Sequence, residues 1–249
     1  MFAPVGTEEI IPRRTFPAVT AIIVAINILV FLYQAFIFIT EGEEGLSALI
    51  QSIALVPGLV TGGESVVLPF YLTFFTAMFV HAGLLHIASN MIYLAVFGDN
   101  VEDLMGPGLY IVFYLICGIA ASLVQIAADP TSMIPNVGAS GAIAGVLAGY
   151  ILLLPTGTVR ILFFLPPFSR IARIPALFFI SLWFIIQIFG GVMSLGATSE
   201  SGGVAYWAHV GGFLAGLALA SVYKLIIRRR LFRSGGRGDG WGRAMIRCD

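Results

Sequence analysis

The chain has 249 residues, of which 59% are hydrophobic and only 10% are charged. Soluble domains carry about 25% charged residues, so this composition excludes an ordinary soluble domain and indicates a membrane protein. The formal net charge is zero, yet Lys and Arg are absent between Arg14 and Arg160. The two cysteines, Cys117 and Cys248, are too few for a disulfide framework or a structural metal site.

Six apolar segments predict the fold class. A helix needs about 20 apolar residues to cross a bilayer, and stretches rich in Pro, Gly and acidic residues, which are typical of loops, separate the segments. The first segment is longer than the core of a signal peptide and lacks a small-residue cleavage site, so we interpret it as a retained span. We therefore expect an all-α, polytopic membrane bundle of six transmembrane helices, at residues 17–39, 74–97, 108–127, 140–154, 174–193 and 205–226.

The basic residues predict the orientation of these spans. Cytoplasmic loops of membrane proteins are enriched in Lys and Arg, and a cytoplasmic N-terminus places all 13 Lys and Arg of this chain on that side. The outer side then carries acidic residues only. We expect a multi-pass protein of the cell membrane with both termini in the cytoplasm. It would comprise an N-terminal segment 1–16, a membrane domain 17–226 and a basic, Gly-rich, disordered tail 227–249.

The connecting segments carry further predictions. The acidic segment 98–107 is expected to be a cytoplasmic loop. Leu46–Val56, within the long outer loop 41–73, is too short to span and is expected to lie in the membrane interface. The Gly- and Ser-rich segment 194–205 is a hypothetical mobile lid over the outer pocket. The basic tail favours contact with anionic lipid headgroups, and no nucleic-acid partner is expected.

The fourth span is shorter than a full crossing by about five residues. With a rise of 1.5 Å per residue, its outer end is expected roughly 7 Å below the membrane surface. The irregular backbone that precedes it, residues 135–138, is tolerated at that depth only beside protein or a water-filled cavity. Ser140 is therefore expected to begin a helix at the floor of an aqueous pocket.

Polar side chains in the apolar spans fall at one depth. Ser140 begins the fourth span, His86 and Asn90 lie in the second, and His209 lies near the start of the sixth. In the predicted topology these three spans all enter the membrane from the outer side. The four side chains are therefore expected to converge in the outer half of the bilayer.

This set of residues suits nucleophilic catalysis. A serine hydroxyl is a weak nucleophile until a base removes its proton, and we expect His209 to be the base for Ser140. No acidic residue lies near His209 in the sequence, which favours a dyad. His86 and Asn90 share one helical face and can donate to an oxyanion, together with amides at the start of the fourth helix. Glycines 138 and 141 would let a substrate backbone approach closely.

Structural interpretations compete with these roles. A lone serine in a membrane helix commonly bonds its own backbone, and glycines spaced by four residues are typical of helix packing. That spacing occurs at 141, 145 and 149 and again at 212 and 216. His81 lies about 140° around a continuous helix from His86, so it is interpreted as a cap or brace of the loop. Four other polar residues are interpreted as helix–helix hydrogen-bonding or span-end groups: Asn27, Gln34, Gln125 and Gln187.

At these residues the chain resembles the rhomboid intramembrane serine proteases. The resemblance implies a six-helix bundle with a dyad of Ser140 and His209, and an oxyanion hole formed by His86, Asn90 and the Ser140 amide. It further implies transmembrane protein substrates and no cofactor or metal. The matching segments run in family order: 76–90 (TAMFVHAGLLHIASN), 97–103 (FGDNVED), 138–143 (GASGAI) and 208–212 (AHVGG).

The chain departs from the family pattern at two places. Many members carry a Trp-Arg pair in the first long loop, where this chain has Tyr71-Leu72-Thr73. An aromatic residue commonly follows the nucleophile by four positions and stacks on the catalytic histidine, but this chain has Ala144 there. Tyr206 or Trp207 is a candidate replacement.

Other functions are weighed against proteolysis. A catalytically silent rhomboid-like protein that binds membrane helices is the main alternative, although such proteins commonly lose the serine or histidine that this chain keeps. A transporter is disfavoured because the spans contain no charged residue and no internal repeat. A zinc protease is disfavoured because the chain lacks a His-Glu-x-x-His sequence, and an aspartyl mechanism because it lacks paired membrane aspartates.

Overall fold

The computed structural model describes residues 2–8, 15–64, 67–165, 168–195 and 203–233. Nine α-helices lie in this part of the chain, together with a 3₁₀ turn at Ala77–Phe79 and a π-helical turn at Leu94–Gly98. The helices are α1 (Ala18–Ile53), α2 (Pro57–Gly62), α3 (Phe70–Thr76), α4 (Leu84–Tyr93), α5 (Asp99–Met105), α6 (Pro107–Ala128), α7 (Ser140–Leu153), α8 (Ala176–Ser194) and α9 (Tyr206–Arg233).

Long apolar helices dominate the described residues. Four are long and apolar enough to cross a membrane: α1, α6, α8 and the part Tyr206–Ile227 of α9. A bent pair, Phe70–Phe79 and Leu84–Met105, makes a fifth if it counts as one span, and α7 is a shorter apolar helix. The predicted polytopic helical fold is confirmed, while the count of six crossings stays a prediction.

The first helix extends well past the predicted span 17–39. It is interrupted at Gly42, whose φ of 72° and ψ of −164° are not helical, and then continues to Ile53. Glycine adopts a positive φ readily because it has no Cβ. The segment predicted as an interfacial element, Leu46–Val56, is therefore largely the second half of α1.

The second predicted span, 74–97, is bent rather than straight. The chain leaves the helix after Phe79 and re-enters it at Leu84, with an angle of 83° between the two parts. Gln34 on α1 stabilises this interruption. Its Nε2 donates to the carbonyl oxygen of His81 at 3.0 Å, and the His81 N–H donates to its Oε1 at 3.1 Å. An interrupted helix in a membrane needs such partners for the backbone groups that it frees.

The segment predicted as a loop, 98–107, is mostly helical, and its acidic residue Glu102 contacts the start of α1. Glu102 is 2% exposed, and its carboxylate accepts hydrogen bonds from the N–H of Val19, the N–H of Thr20 and the hydroxyl of Thr20 at 2.7 to 2.9 Å. The first turn of α1 has unpaired N–H groups, and Pro17 at its N-cap supplies no side-chain cap. Glu102 caps α1 from another helix.

Helix α7 lies at the centre of the bundle, between α6 and α9. Its residues 141–150 are all buried. A Cβ on Gly212 would overlap the carbonyl oxygen of Gly141, and one on Gly216 would lie 2.6 Å from the Cα of Gly145. The glycines therefore allow α7 and α9 to approach closely, and the helix-packing interpretation of their spacing is confirmed.

The structure contains a three-stranded antiparallel sheet, which the all-α prediction did not include. It consists of β1 (Phe2–Glu8), β2 (Thr158–Leu165) and β3 (Phe168–Pro175), in the order β1-β2-β3. Arg160 and Arg173 lie opposite each other in β2 and β3. Glu8 of β1 offsets this repulsion, since its carboxylate accepts from Nε of Arg173 at 3.0 and 3.1 Å.

The predicted disordered tail is helical at its start. Helix α9 continues to Arg233, because five of the residues 227–233 are Arg or Leu, which favour helix. The rest of the tail, from 234, lies outside the described residues, as do Arg13, Arg14 and residues 196–202 of the predicted lid.

Candidate active site

The hydroxyl of Ser140 and the imidazole of His209 are in hydrogen-bonding contact. Nε2 of His209 lies 2.8 Å from Oγ of Ser140. Ser140 is the first residue of α7, and His209 lies in the first turn of α9 and is 8% exposed. The two residues are 69 positions apart in sequence, so this contact depends on how the helices pack.

The close packing of α7 and α9 makes the contact possible. Glycines at 141 and 212 bring the beginnings of the two helices together, immediately beside Ser140 and His209. On the adjacent helix α6, Oε1 of Gln125 accepts a hydrogen bond from the N–H of Ala208 at 3.1 Å. This bond satisfies one of the free N–H groups in the first turn of α9 and fixes that turn against α6.

His86 and Asn90 face the backbone that leads to Ser140. A Cβ on Gly138 would lie 2.8 Å from Nε2 of His86 and 3.6 Å from Nδ2 of Asn90. Gly138 has a φ of 119°, which other residues rarely adopt. Its N–H donates to the carbonyl oxygen of Ala77 at 2.8 Å, so the backbone before Ser140 is fixed to the helix interruption.

Asn90 carries a buried amide nitrogen that has no hydrogen-bond partner among the described residues. The side chain is 6% exposed, and its Nδ2 makes no hydrogen bond there. A buried donor without a partner is costly, and such groups are concentrated where a ligand or water completes the bond. The orphan donor therefore marks the space beside Gly138 as a place for an acceptor atom.

A small cavity of about 20 Å³ adjoins Ser140. That volume exceeds the 10–15 Å³ that one water needs. Polar groups from several elements contribute to its walls, together with small side chains of α6. Its lining includes Ser122, Asn136, Gly138, Ser140 and Gly141.

His81 contacts His86, contrary to the prediction that the two point to different sides of one helix. Their ring centroids are 5.0 Å apart at an interplanar angle of 69°. The prediction was wrong because it assumed a continuous helix, whereas residues 80–83 are not helical. The predicted bracing of the loop involves the His81 backbone, which bonds to Gln34.

Helix α8 supplies the neighbours of His209 that sequence reasoning missed. Oε1 of Gln187 lies 2.8 Å from Nδ1 of His209. The indole of Trp183, one turn earlier, lies 5.6 Å from the imidazole between ring centroids, at 38°. The aromatic neighbour of His209 is therefore Trp183.

The candidates Tyr206 and Trp207 for that aromatic role were wrong. The indole N–H of Trp207 instead donates to the carbonyl oxygen of Gly191 on α8 at 3.1 Å, and Tyr206 packs against Gly190. The only signal for Trp183 and Gln187 in the sequence is their spacing of four residues within an apolar span, which places them on one face of a helix.

The sequence of this chain is similar to those of known proteins. The family model described as "Rhomboid domain" matches residues 70–225. "Rhomboid protease GluP" of Bacillus subtilis is 30% identical over 141 residues, covering 57% of this chain and 25% of GluP. "Rhomboid-like protein 11, chloroplastic" of Arabidopsis thaliana is 41% identical over 81 residues, covering 32% of this chain and 28% of that protein. "Rhomboid-like protease 3" of Toxoplasma gondii is 26% identical over 148 residues, covering 59% of this chain and 50% of that protein. The chain thus spans about a quarter to a half of the length of these relatives.

Proposed function

The chain belongs to the rhomboid family, and from that membership we propose that it is an intramembrane serine endopeptidase that cleaves other membrane proteins. Ser140 is the nucleophile and His209 is the general base. The single observation that carries this proposal is the 2.8 Å contact between Nε2 of His209 and Oγ of Ser140, made inside an apolar bundle. A serine next to a base within hydrogen-bond reach is the arrangement that activates a hydroxyl.

The reaction follows from this pair. His209 takes the proton of Ser140 as Oγ attacks the scissile carbonyl carbon, and it then gives that proton to the leaving amine. The peptide C–N bond breaks and an acyl-enzyme remains on Ser140. A water molecule then attacks the acyl carbon, with His209 again as base, which releases the carboxylic acid and restores the serine. The cavity beside Ser140 has room for such a water.

His86 and Asn90 are proposed as oxyanion donors, together with the amide of Ser140. The N–H of Ala82 donates to Nδ1 of His86 at 3.4 Å, so in a neutral imidazole the proton lies on Nε2, the atom nearest Gly138. The buried Nδ2 of Asn90 has no partner among the described residues and faces the same backbone. Both atoms are donors, as the developing negative charge requires. His81, Gly138 and Gly141 have supporting roles in this proposal.

Asn90→Ala is expected to lower kcat about 10²–10³-fold, the effect of removing one oxyanion donor. Asn100→Ala is the matched control. Asn100 is a partly buried amide whose Nδ2 donates to Thr7, to Asp99 and to the carbonyl oxygen of Val96. Steady-state cleavage of a transmembrane reporter substrate in proteoliposomes measures both. An unchanged rate for Asn90→Ala would remove Asn90 from the oxyanion site.

The topology predicted from the basic residues completes the proposal. Ser140 begins α7, whereas Arg160, Arg170 and Arg173 lie in the strands that follow its other end. Since basic residues mark the cytoplasmic side, the active site opens to the extracytoplasmic side of a cell membrane. Both termini are cytoplasmic in this arrangement. The substrates are transmembrane proteins, because only chains held in the bilayer present a peptide bond at that depth.

Two measurements together test the proposed function. Mass spectrometry of co-expressed single-span proteins should find cleavage products with the wild-type chain and none with Ser140→Ala. A serine-directed fluorophosphonate should label the wild type and spare Ser140→Ala. Labelling and cleavage that persist in Ser140→Ala would contradict the assignment of the nucleophile. A folded wild type that neither reacts with the probe nor cleaves would instead favour a catalytically silent protein that binds membrane helices.

A further inference from the structure

Gln187 is the one residue of α8 whose side chain hydrogen-bonds to the His209 ring among the described residues. It is buried, 6% exposed, and it contacts two groups with different requirements. Nε2 of Gln187 donates to the carbonyl oxygen of Trp183 at 3.1 Å, and Oε1 lies 2.8 Å from Nδ1 of His209. We propose that Gln187 is a positioning residue that sets the tautomer and the orientation of His209. The catalytic consequence of this inference rests on the proposed function.

The carbonyl oxygen of Trp183 fixes which way the Gln187 amide points. A backbone carbonyl can only accept a hydrogen bond, so the NH₂ group of the amide must face it. The amide oxygen then faces the imidazole. An amide rotated by 180° would place oxygen against oxygen at Trp183 and would lose that bond.

The amide oxygen in turn fixes the proton on His209. Oε1 of Gln187 can only accept, so Nδ1 of His209 must carry the hydrogen. In a neutral imidazole Nε2 is then unprotonated and accepts from the hydroxyl of Ser140. The chain of bonds runs from Ser140 through His209 to Gln187 and on to Trp183, and each donor meets an acceptor. The opposite tautomer would present N–H to Ser140 and leave its hydroxyl without a base.

A neutral amide suits this position better than a carboxylate does. An aspartate or glutamate at the centre of an apolar bundle would require burial of a charge, which is expensive even when it is paired. Glutamine supplies the oriented acceptor without that charge. It cannot take the proton, so during acylation the proton moves from Ser140 to Nε2 while the hydrogen on Nδ1 stays in its bond to Gln187.

Trp183 restrains the same ring from another side. Its indole lies 5.6 Å from the imidazole, while its backbone oxygen holds the Gln187 amide. One turn of α8 therefore supplies both the indole that packs beside the imidazole and the amide oxygen that accepts from its N–H. This pair takes the place of the aromatic residue that the family pattern has at position 144.

The substitution that tests the inference is Gln187→Met, which conserves length and removes the acceptor. It is expected to lower kcat about tenfold, the effect of one hydrogen bond, and to leave KM within about twofold. Gln187→Glu should recover kcat to within about threefold of wild type, because either protonation state of a carboxyl group offers an acceptor oxygen. The control is Asn27→Leu. Asn27 is a buried amide on α1 that, like Gln187, donates to the carbonyl oxygen four residues earlier, and its loss should leave kcat unchanged.

A spectroscopic readout separates positioning from general support of the fold. The chain has three histidines, so the ¹⁵N resonances of His209 are assigned by their loss in His209→Ala. In a Ser140→Ala background, which removes the serine partner, Nδ1 should show the shift of a protonated ring nitrogen and Nε2 that of an unprotonated one. Adding Gln187→Met should convert this to a mixture of tautomers, whereas adding Asn27→Leu should not.

The outcomes are distinguishable. A neutral His209 ring in the Ser140→Ala protein that carries its hydrogen on Nε2 and not on Nδ1 would overturn the inference without any substitution at Gln187. A Gln187→Met variant that keeps both kcat and the tautomer would also overturn it. Equal losses of kcat in Gln187→Met and Gln187→Glu, with the tautomer unchanged, would also overturn it and leave a packing role. A wild type without peptidase activity would contradict the proposed function, while the ¹⁵N spectra would still decide the role of Gln187.

Discussion

His209→Ala is expected to lower the rate of peptide hydrolysis by about 10⁴-fold or more. Without an imidazole at this position, no other base among the described residues is in hydrogen-bonding contact with Oγ of Ser140. The hydroxyl would then attack as a neutral alcohol, and the leaving amine would depart without a proton donor. The oxyanion donors would still bind the substrate carbonyl, so a small residual rate and a nearly unchanged KM are expected.

Comparing the cleavage rates of the two single variants with that of the double variant is a sharper test. If Ser140 and His209 act as one unit, Ser140→Ala, His209→Ala and the double variant should all have rates of the same order. Single-turnover cleavage of a reporter substrate, with protein folding checked by thermal unfolding, measures the three. The matched control is Ser221→Ala, because Ser221 also lies on α9 but donates to the carbonyl oxygen of Leu217 in its own helix. Losses that multiply in the double variant would show that the two side chains act independently.

Glu102→Ala is expected to destabilise the protein by about 3 kcal/mol or more, the largest effect on folding predicted here. The carboxylate accepts three hydrogen bonds from the first turn of α1. Its loss would leave the half-buried N–H of Val19 and the buried N–H and hydroxyl of Thr20 without an acceptor, and each buried unsatisfied group costs about 1–3 kcal/mol. Reversible unfolding in mixed detergent micelles measures the free energy of unfolding.

Two further variants test the cause of that loss. Glu102→Gln keeps one acceptor oxygen and should lose less stability than Glu102→Ala. Asp103→Asn alters the neighbouring carboxylate, whose Oδ1 accepts from the N–H and hydroxyl of Thr15 at an exposed position, so it should cost under about 1 kcal/mol. Equal effects of Asp103→Asn and Glu102→Ala would contradict the cap and point to net charge in this region.

The contact between Ser140 and His209 was predictable because polar side chains are rare in membrane-spanning segments. A histidine or an asparagine in an apolar span is costly, so the few that occur are informative even without neighbours in sequence. The prediction that they share one depth came from counting residues along each span. The bundle also follows from composition, since about 20 consecutive apolar residues leave few alternatives to a crossing helix.

The partners of His209 on α8 were not predictable in the same way. Gln187 was interpreted only as a helix–helix hydrogen-bonding or span-end group, because nothing local shows which neighbour a side chain meets. That pairing depends on the rotation of α8 about its own axis, which tertiary packing sets. The position of Trp183 beside the His209 ring depends on the same rotation of α8.

Irregular backbone escaped prediction for a different reason. The interruption at residues 80–83 contains no proline, and the backbone N–H and carbonyl of His81 within it bond to Gln34, from a helix more than forty positions away. The sheet was missed because β2 and β3 were considered only for their positive charge. Polar and apolar residues alternate only at the start of β2, in Thr158–Ile161 (TVRI), which is a short form of the pattern that indicates a strand.

The complete burial of α7 from residue 141 to 150 makes the depth of Ser140, the proposed nucleophile, independent of the thickness of the surrounding bilayer. Hydrophobic mismatch is felt by helices that contact acyl chains, which tilt or shift when the lipids become shorter or longer. α7 contacts other helices throughout this stretch, so its depth is fixed by protein surfaces. Thin and thick membranes would thus tilt the peripheral helices α1 and α8, whereas the short central helix keeps its register against α9.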